Sequence, residues 1–244
     1  MPFSPKPKVP LSMRRCGLSR EHRITLAGLD FIPELSGALF VPDIKTLLVA
    51  DLHLEKASNM ARRGIHLPPY DTRASLTQLQ AVIAVTQPRQ MIFLGDSFHD
   101  NDARERIDAN DLATLRDMTQ RVETVWITGN HDPHPPTDIG GRIVNEVVLG
   151  SITLRHEPKD LDEGEFEIAG HLHPAAGVSQ RGRHIRCKCF IANATRVIMP
   201  AFGSFTGGLS ISAAPFNYAF GKKDYHVWML GDRAIYKLPA TRVS

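Results

Sequence analysis

The sequence predicts an α/β fold organised around a parallel sheet, and three observations carry that prediction. Short apolar, β-rich runs alternate with amphipathic helical stretches between residues 46 and 128. Each run stops abruptly in a polar loop. From about residue 142 onward helical periodicity gives way to closely spaced β-runs, which adds a mixed sheet layer in the second half. With 244 residues and 42% hydrophobic content, the chain is long enough to bury a core unaided and too apolar for wholesale disorder.

Taken in order, TLLVA (46–50) is the first strand of the alternation and ends at Asp51. DTRASLTQLQAVIAVTQ (71–87) places Leu76, Leu79 and Ile83 at helical spacing, opens on Asp-Thr and stops before Pro88. MIFL (91–94) is a buried strand running into Gly95-Asp96. A second helix covers 108–120 through Leu112, Leu115 and Met118. TVWIT (124–128) completes β-α-β-α-β at Gly129-Asn130-His131-Asp132. In such sheets the active site lies beyond the carboxyl ends of the strands. RIVNEVVL, SITLR, FEIAG, HIRCKCFIA, RVIMP, YHVWML and AIYKL follow as short β-runs between Gly, Pro and Asp turns, with Gly231-Asp232 a hairpin turn.

Charge divides the chain unevenly. Residues 1–24 carry six Lys/Arg against Glu21, a local +5, whereas the whole chain is only +3. The body from 25 to 244 is therefore slightly acidic and not a uniformly basic nucleic-acid binder, and 1–24 reads as a flexible, solvated basic tail. No apolar run approaches the roughly 20 residues that span a bilayer, and the N-terminus lacks the apolar core of a secretory signal. Three cysteines make no disulfide framework, so a reduced, cytoplasmic protein is expected.

Polar residues cluster where strands stop: Asp51-Leu52-His53, Gly95-Asp96, Gly129-Asn130-His131-Asp132, His156, and Gly170-His171-Leu172-His173. Carboxylate, amide and imidazole without thiolate form an oxygen and nitrogen donor set suited to Mn, Fe or Zn. Seven such donors exceed the needs of one ion, and two ions sharing a carboxylate fit better. Ion pairs about 3.5–4 Å apart are the arrangement that cleaves phosphate esters.

The ordered series D-x-H, G-D, G-N-H-D, H and G-H-x-H, between residues 46 and 173, resembles the calcineurin-like metallophosphoesterase superfamily. ADLHLEKA, GDSFHD and MPAFGSFTGG further resemble its bacterial ligase-associated DNA damage response endonucleases. The resemblance implies a four-layer α/β/β/α sandwich over 25–244. It implies that Asp51, His53 and His173 hold one divalent ion and Asn130, His156 and His171 a second, with Asp96 bridging. Manganese is the expected metal, with iron or zinc as alternatives. His131 would protonate the leaving oxygen after in-line attack by a hydroxide between the ions, and His99 would help to place a phosphodiester. The implied activity is DNA endonucleolytic cleavage in repair, in functional association with a DNA ligase, a helicase and an exonuclease. The alternative is the same chemistry on a small nucleotide or phosphomonoester. A non-catalytic scaffold ranks last, because no ligand is missing.

Simpler readings compete at several positions. His22, His66, His134, His184 and His226 fit structural roles. Asp132 either orients His131 and raises its pKa or is a turn residue before Pro133. In RGRHIRCKC, alternation puts His184, Arg186 and Lys188 on one side and Ile185, Cys187 and Cys189 towards the core. Arg186 and Lys188 then become candidates for the substrate backbone, against the rival of a solvated edge strand. AFGSFTGG lacks a P-loop lysine arrangement and reads as a tight turn near the site.

Overall fold

Strands β4 (Thr46–Val49), β5 (Gln90–Leu94) and β6 (Glu123–Ile127) are apolar and buried on both faces, as the central strands of a covered parallel sheet must be. The computed structural model describes residues 22–180, 182–221 and 224–244. The basic tail predicted over 1–24 thus lies almost wholly outside the described residues, and β1 begins at Ile24. Strands β1 (Ile24–Leu26), β2 (Leu29–Pro33) and β3 (Leu39–Val41) lead antiparallel into β4. From there β4, β5, β6 and β7 (Arg142–Val144) run parallel. Helices α1 (Lys56–Arg62) and α2 (Asp71–Thr86) connect β4 to β5, and α3 (Ala103–Arg106) and α4 (Ala109–Arg121) connect β5 to β6.

The run RIVNEVVL, continuous in sequence, is divided in space. β7 ends the first sheet, and after residues 145–146 strand β8 (Val147–Leu149) begins the second. Strands β9 (Ile152–Arg155), β10 (Phe166–Ala169) and β13 (Arg196–Ile198) form a parallel set within it. The long β12 (Arg183–Ala192) pairs at one end with β11 (Pro174–Gln180) and at the other with β13 and β15 (His226–Leu230). β14 (Leu209–Ser210) edges β11, and β16 (Ile235–Pro239) forms with β15 the predicted hairpin, closed by Gly231 N–H donating to Ala234 O at 3.0 Å.

Three apolar layers hold these elements apart from water. Leu48, Ile92 and Val125 of the first sheet meet Leu154, Ile168, Phe190 and Trp228 of the second. On the opposite face of the first sheet, Val49, Phe93 and Trp126 receive Leu76, Leu79, Leu112 and Leu115 of α2 and α4. The outer face of the second sheet receives Phe216 and Phe220 from α5 (Ala214–Phe220). The result is the four-layer α/β/β/α sandwich, its last layer thin. One expectation fails in β12: Ile185 does not face the core but is 58% exposed, because that end of the strand projects past the layers beneath it.

Candidate metal centre

Every ligand candidate stands just beyond the carboxyl end of a parallel strand, in both sheets. Asp51 and His53 follow β4, Asp96 follows β5, and Asn130 and His131 follow β6. His156 follows β9, and His171 and His173 follow β10. The first two loops are laced together: His53 N–H donates to Asp96 O, Leu54 N–H to Ser97 O and His99 N–H to Leu54 O, each at 2.9 Å. Lacing of this kind sustains a contorted backbone. Asp51 (φ 54°), His53 (46°), Asp96 (48°), His171 (66°) and His173 (45°) are all left-handed without being glycine. Such conformations cost about 1–2 kcal/mol each and cluster where geometry matters more than stability.

The glycines among them make room for the ligand loops. Gly95 (φ 76°) supplies a turn and also lets His156 pack against it, since a Cβ there would lie 2.5 Å from the imidazole. Gly129 permits close approach, since a Cβ there would lie 2.2 Å from Asp96 N and 2.7 Å from Asp132 Oδ1.

Three groups of side chains have donor atoms within 4.8 Å of one another: Asp51, His53 and His173; Asp96, His156 and His171; and His53, His99 and His131, which holds no carboxylate. In the first, His173 Nε2 lies 3.1 Å from Asp51 Oδ1 and 3.3 Å from His53 Nε2. In the second, His156 Nε2 lies 3.4 Å from Asp96 Oδ1 and 3.2 Å from His171 Nδ1. Asn130 Oδ1 joins this second group, 2.9 Å from His156 Nε2 and 3.0 Å from His171 Nδ1. Asp96 reaches both, its other oxygen 3.8 Å from His53 Nε2. All seven predicted donors therefore converge on one spot.

Their chemistry fits a cation. His156 Nδ1 donates to the Leu94 carbonyl at 2.9 Å, which leaves Nε2 with a lone pair aimed at the Asn130 and Asp96 oxygens. Atoms that can only accept are reconciled by a positive charge between them. The same demand governs titration. A proton on His156 Nε2 answers the same need as a cation: burial opposes it, yet the hydrogen bond to Asp96 and the charges of Asp51 and Asp96 push the imidazole up to about 9. Burial also opposes ionisation of Asp96, but the bond and charge of His156 pull it down to about 2. His53 is driven down to about 3, chiefly by burial, and so is a neutral imidazole able to ligate.

Above these groups sit His131 and His99, their rings stacked with centroids 5.1 Å apart. His131 Nδ1 donates to His99 O at 2.9 Å, so Nε2 is the atom left free. The His53 ring lies edge-on to that of His131, with centroids 5.1 Å apart. Burial holds His99 down to about 4, aided by the nearby charges of His131 and Lys56.

Asp132 does not orient His131. Its carboxylate turns inward and accepts four backbone N–H groups, from Asp96, Ser97, Phe98 and Gly129, at 2.8–3.1 Å. It pins the β5 and β6 loops together, a role that its place beside His131 in the sequence did not reveal.

The basic residues of β12 are also placed differently from expectation. Lys188 Nζ donates to Ala201 O (2.7 Å), Gly203 O (2.8 Å) and Thr206 Oγ1 (3.0 Å), which engages all three of its protons. It secures the AFGSFTGG turn, whose Gly203 N–H donates to Asp51 O at 3.2 Å. Arg186 is exposed and donates to Gly208 O. Lys56, in the first turn of α1, acts through its charge on His99 and feels that of Asp71; a lysine opening a short helix carries no pattern of its own in the sequence.

Carboxylates and imidazoles gathered at strand ends of a two-sheet sandwich define a metal-dependent hydrolytic enzyme. No protein-family model and no curated protein matches the chain. Among solved structures it is similar to the Pseudomonas putida nuclease MPE, at 31% identity and a TM-score of 0.69, over 89% of this chain and 99% of that one. A phosphoesterase from E. coli, YfcE, matches at 13% identity and a TM-score of 0.39, over 80% of this chain and 98% of that one. On the first of these likenesses, the chain belongs to the calcineurin-like metallophosphoesterase superfamily, and it is a metal-dependent phosphoesterase.

Proposed function

We propose that the protein is a DNA endonuclease of the ligase-associated repair type, acting in the cytoplasm with two manganese ions. The observation that carries this reading is the meeting of two donor groups at Asp96 beneath a paired His131 and His99. Similarity to a nuclease supports the substrate. Asp51, His53 and His173 would hold one ion and Asn130, His156 and His171 the other, with Asp96 common to both. Bound divalent ions would stabilise charge on the phosphoryl oxygens and acidify water. His131 presents Nε2 to the leaving oxygen and delivers a proton there, its ring held by the Nδ1 bond to His99 O. His99 places the phosphodiester from the adjoining side. Functional association with a DNA ligase, a helicase and an exonuclease completes the proposed setting.

The test compares manganese-dependent hydrolysis of bis-p-nitrophenyl phosphate and p-nitrophenyl phosphate, with supercoiled plasmid alongside, for wild type and Asp96→Ala. Diester hydrolysis and plasmid nicking, both lost in the variant, are expected. Monoester hydrolysis with intact plasmid would remove the nuclease reading in favour of a small substrate.

A further inference from the structure

We propose that the cavity beside His171 is a subsite for a nucleobase next to the cleaved phosphate, an assignment that rests on the DNA reading above. The cavity measures about 380 Å³, within the range of pockets that enclose a small organic group. His171 forms part of its wall and is at the same time a member of the second donor group, so the cavity adjoins that group. A group attached on this side to a phosphate held there would lie against the cavity.

Much of the remaining wall is apolar, with Leu172 from the loop after β10, Pro158 from the loop after β9, and Pro215 and Tyr218 from α5; Glu157, Lys159 and Arg196 are its charged members. Tyr218 is 73% exposed, yet its hydroxyl donates to Asp160 Oδ2 at 2.7 Å. That bond holds an otherwise free ring in one orientation at the cavity edge. Cations at the cavity are already engaged. Lys159 Nζ pairs with Glu146 at 2.6 Å, and Arg196 is directed at Glu167 and at the carbonyls of Ala219 and Lys159. A second anion therefore finds no unpaired cation there, whereas a planar aromatic group finds matching surfaces. A base satisfies both conditions, since every base offers a π-face to an aromatic side chain.

The experiment measures manganese-dependent cleavage of a single-stranded oligonucleotide and of the same strand built with abasic residues around the cleaved bond. Wild type is expected to prefer the base-containing strand by about tenfold in kcat/KM, the scale of one base–aromatic stack. In Tyr218→Ala that preference falls towards one, mainly through KM, and Tyr218→Phe, which keeps the ring but not its bond to Asp160, retains part of it. An undiminished preference in Tyr218→Ala, or none in wild type, overturns the subsite. Hydrolysis of bis-p-nitrophenyl phosphate without cleavage of either strand would instead overturn the DNA reading, and the subsite with it.

Discussion

The two sheets contribute unequally to one centre. Loops of the first sheet bring both carboxylates, Asp51 and Asp96, together with Asn130 and His131, and they are braced internally by the Asp132 carboxylate. Loops of the second sheet bring only imidazoles, and their backbone leans on the first: His171 N–H donates to both Asp51 oxygens, at 3.2 and 3.0 Å. What braces the second half lies further back, where Glu167, fully buried, faces Arg155 at 3.1 Å and Arg196 at 2.5 Å. An anionic floor thus carries its own scaffold, while the imidazole wall depends on that floor and on a buried ion cluster. The difference implies that damage to the floor removes chemistry, whereas damage behind the wall removes stability.

That contrast can be broken most severely at Asp96. Replacing it with alanine should take hydrolysis to background and lower the metal content of the purified protein, since the second donor group loses a member and the first loses the carboxylate that reaches it. His131→Ala should cost roughly 10²–10⁴-fold in kcat, the usual contribution of a proton donor, while metal content by mass spectrometry stays near wild type. Unchanged turnover there would leave His131 without its assigned part. Glu167→Ala should destabilise by about 3–5 kcal/mol in denaturant unfolding, because buried Arg196 loses its carboxylate and Arg155 keeps only Glu146. If it instead abolished activity at full stability, the division between floor and wall would be wrong. The smallest effect is expected at Asp132→Ala, a roughly 10–100-fold loss of metal affinity by titration calorimetry, as for other groups that orient ligands from behind. A loss of the proton-donor kind with affinity intact would return Asp132 to the side of His131.

Much of this was readable from the chain. β4, β5 and β6 with α2 and α4 were visible because both-face burial and helical spacing leave long, regular patterns. The residues that converge at the site could be singled out because they cluster where strands stop, while their division between two ions came from the family resemblance. β1 to β3 and α5 were not, since elements of three to seven residues are too short to show a period; α5 buries only Phe216 and Phe220. Strict alternation misled in β12, where Ile185 lies on a projecting end, and it gave no sign that Lys188 meets carbonyls from a turn 13 and 15 residues further on. Neighbourhood along the chain misled at Asp132, whose side chain leaves the turn opposite to that of His131.

The passage between sheets at residues 145–146 has a consequence for synthesis. Chains emerge from the ribosome amino end first, and early segments begin to fold before late ones exist. Neither donor group that contains a carboxylate is complete in the first sheet: one needs His173 and the other His156 and His171. β10 must moreover pair with β13, which ends at Ile198. A nascent chain can therefore shape the anionic floor early and still lack the means to retain its ions. The centre is assembled only after β13 has been made, and a chain cut short before that point lacks part of it.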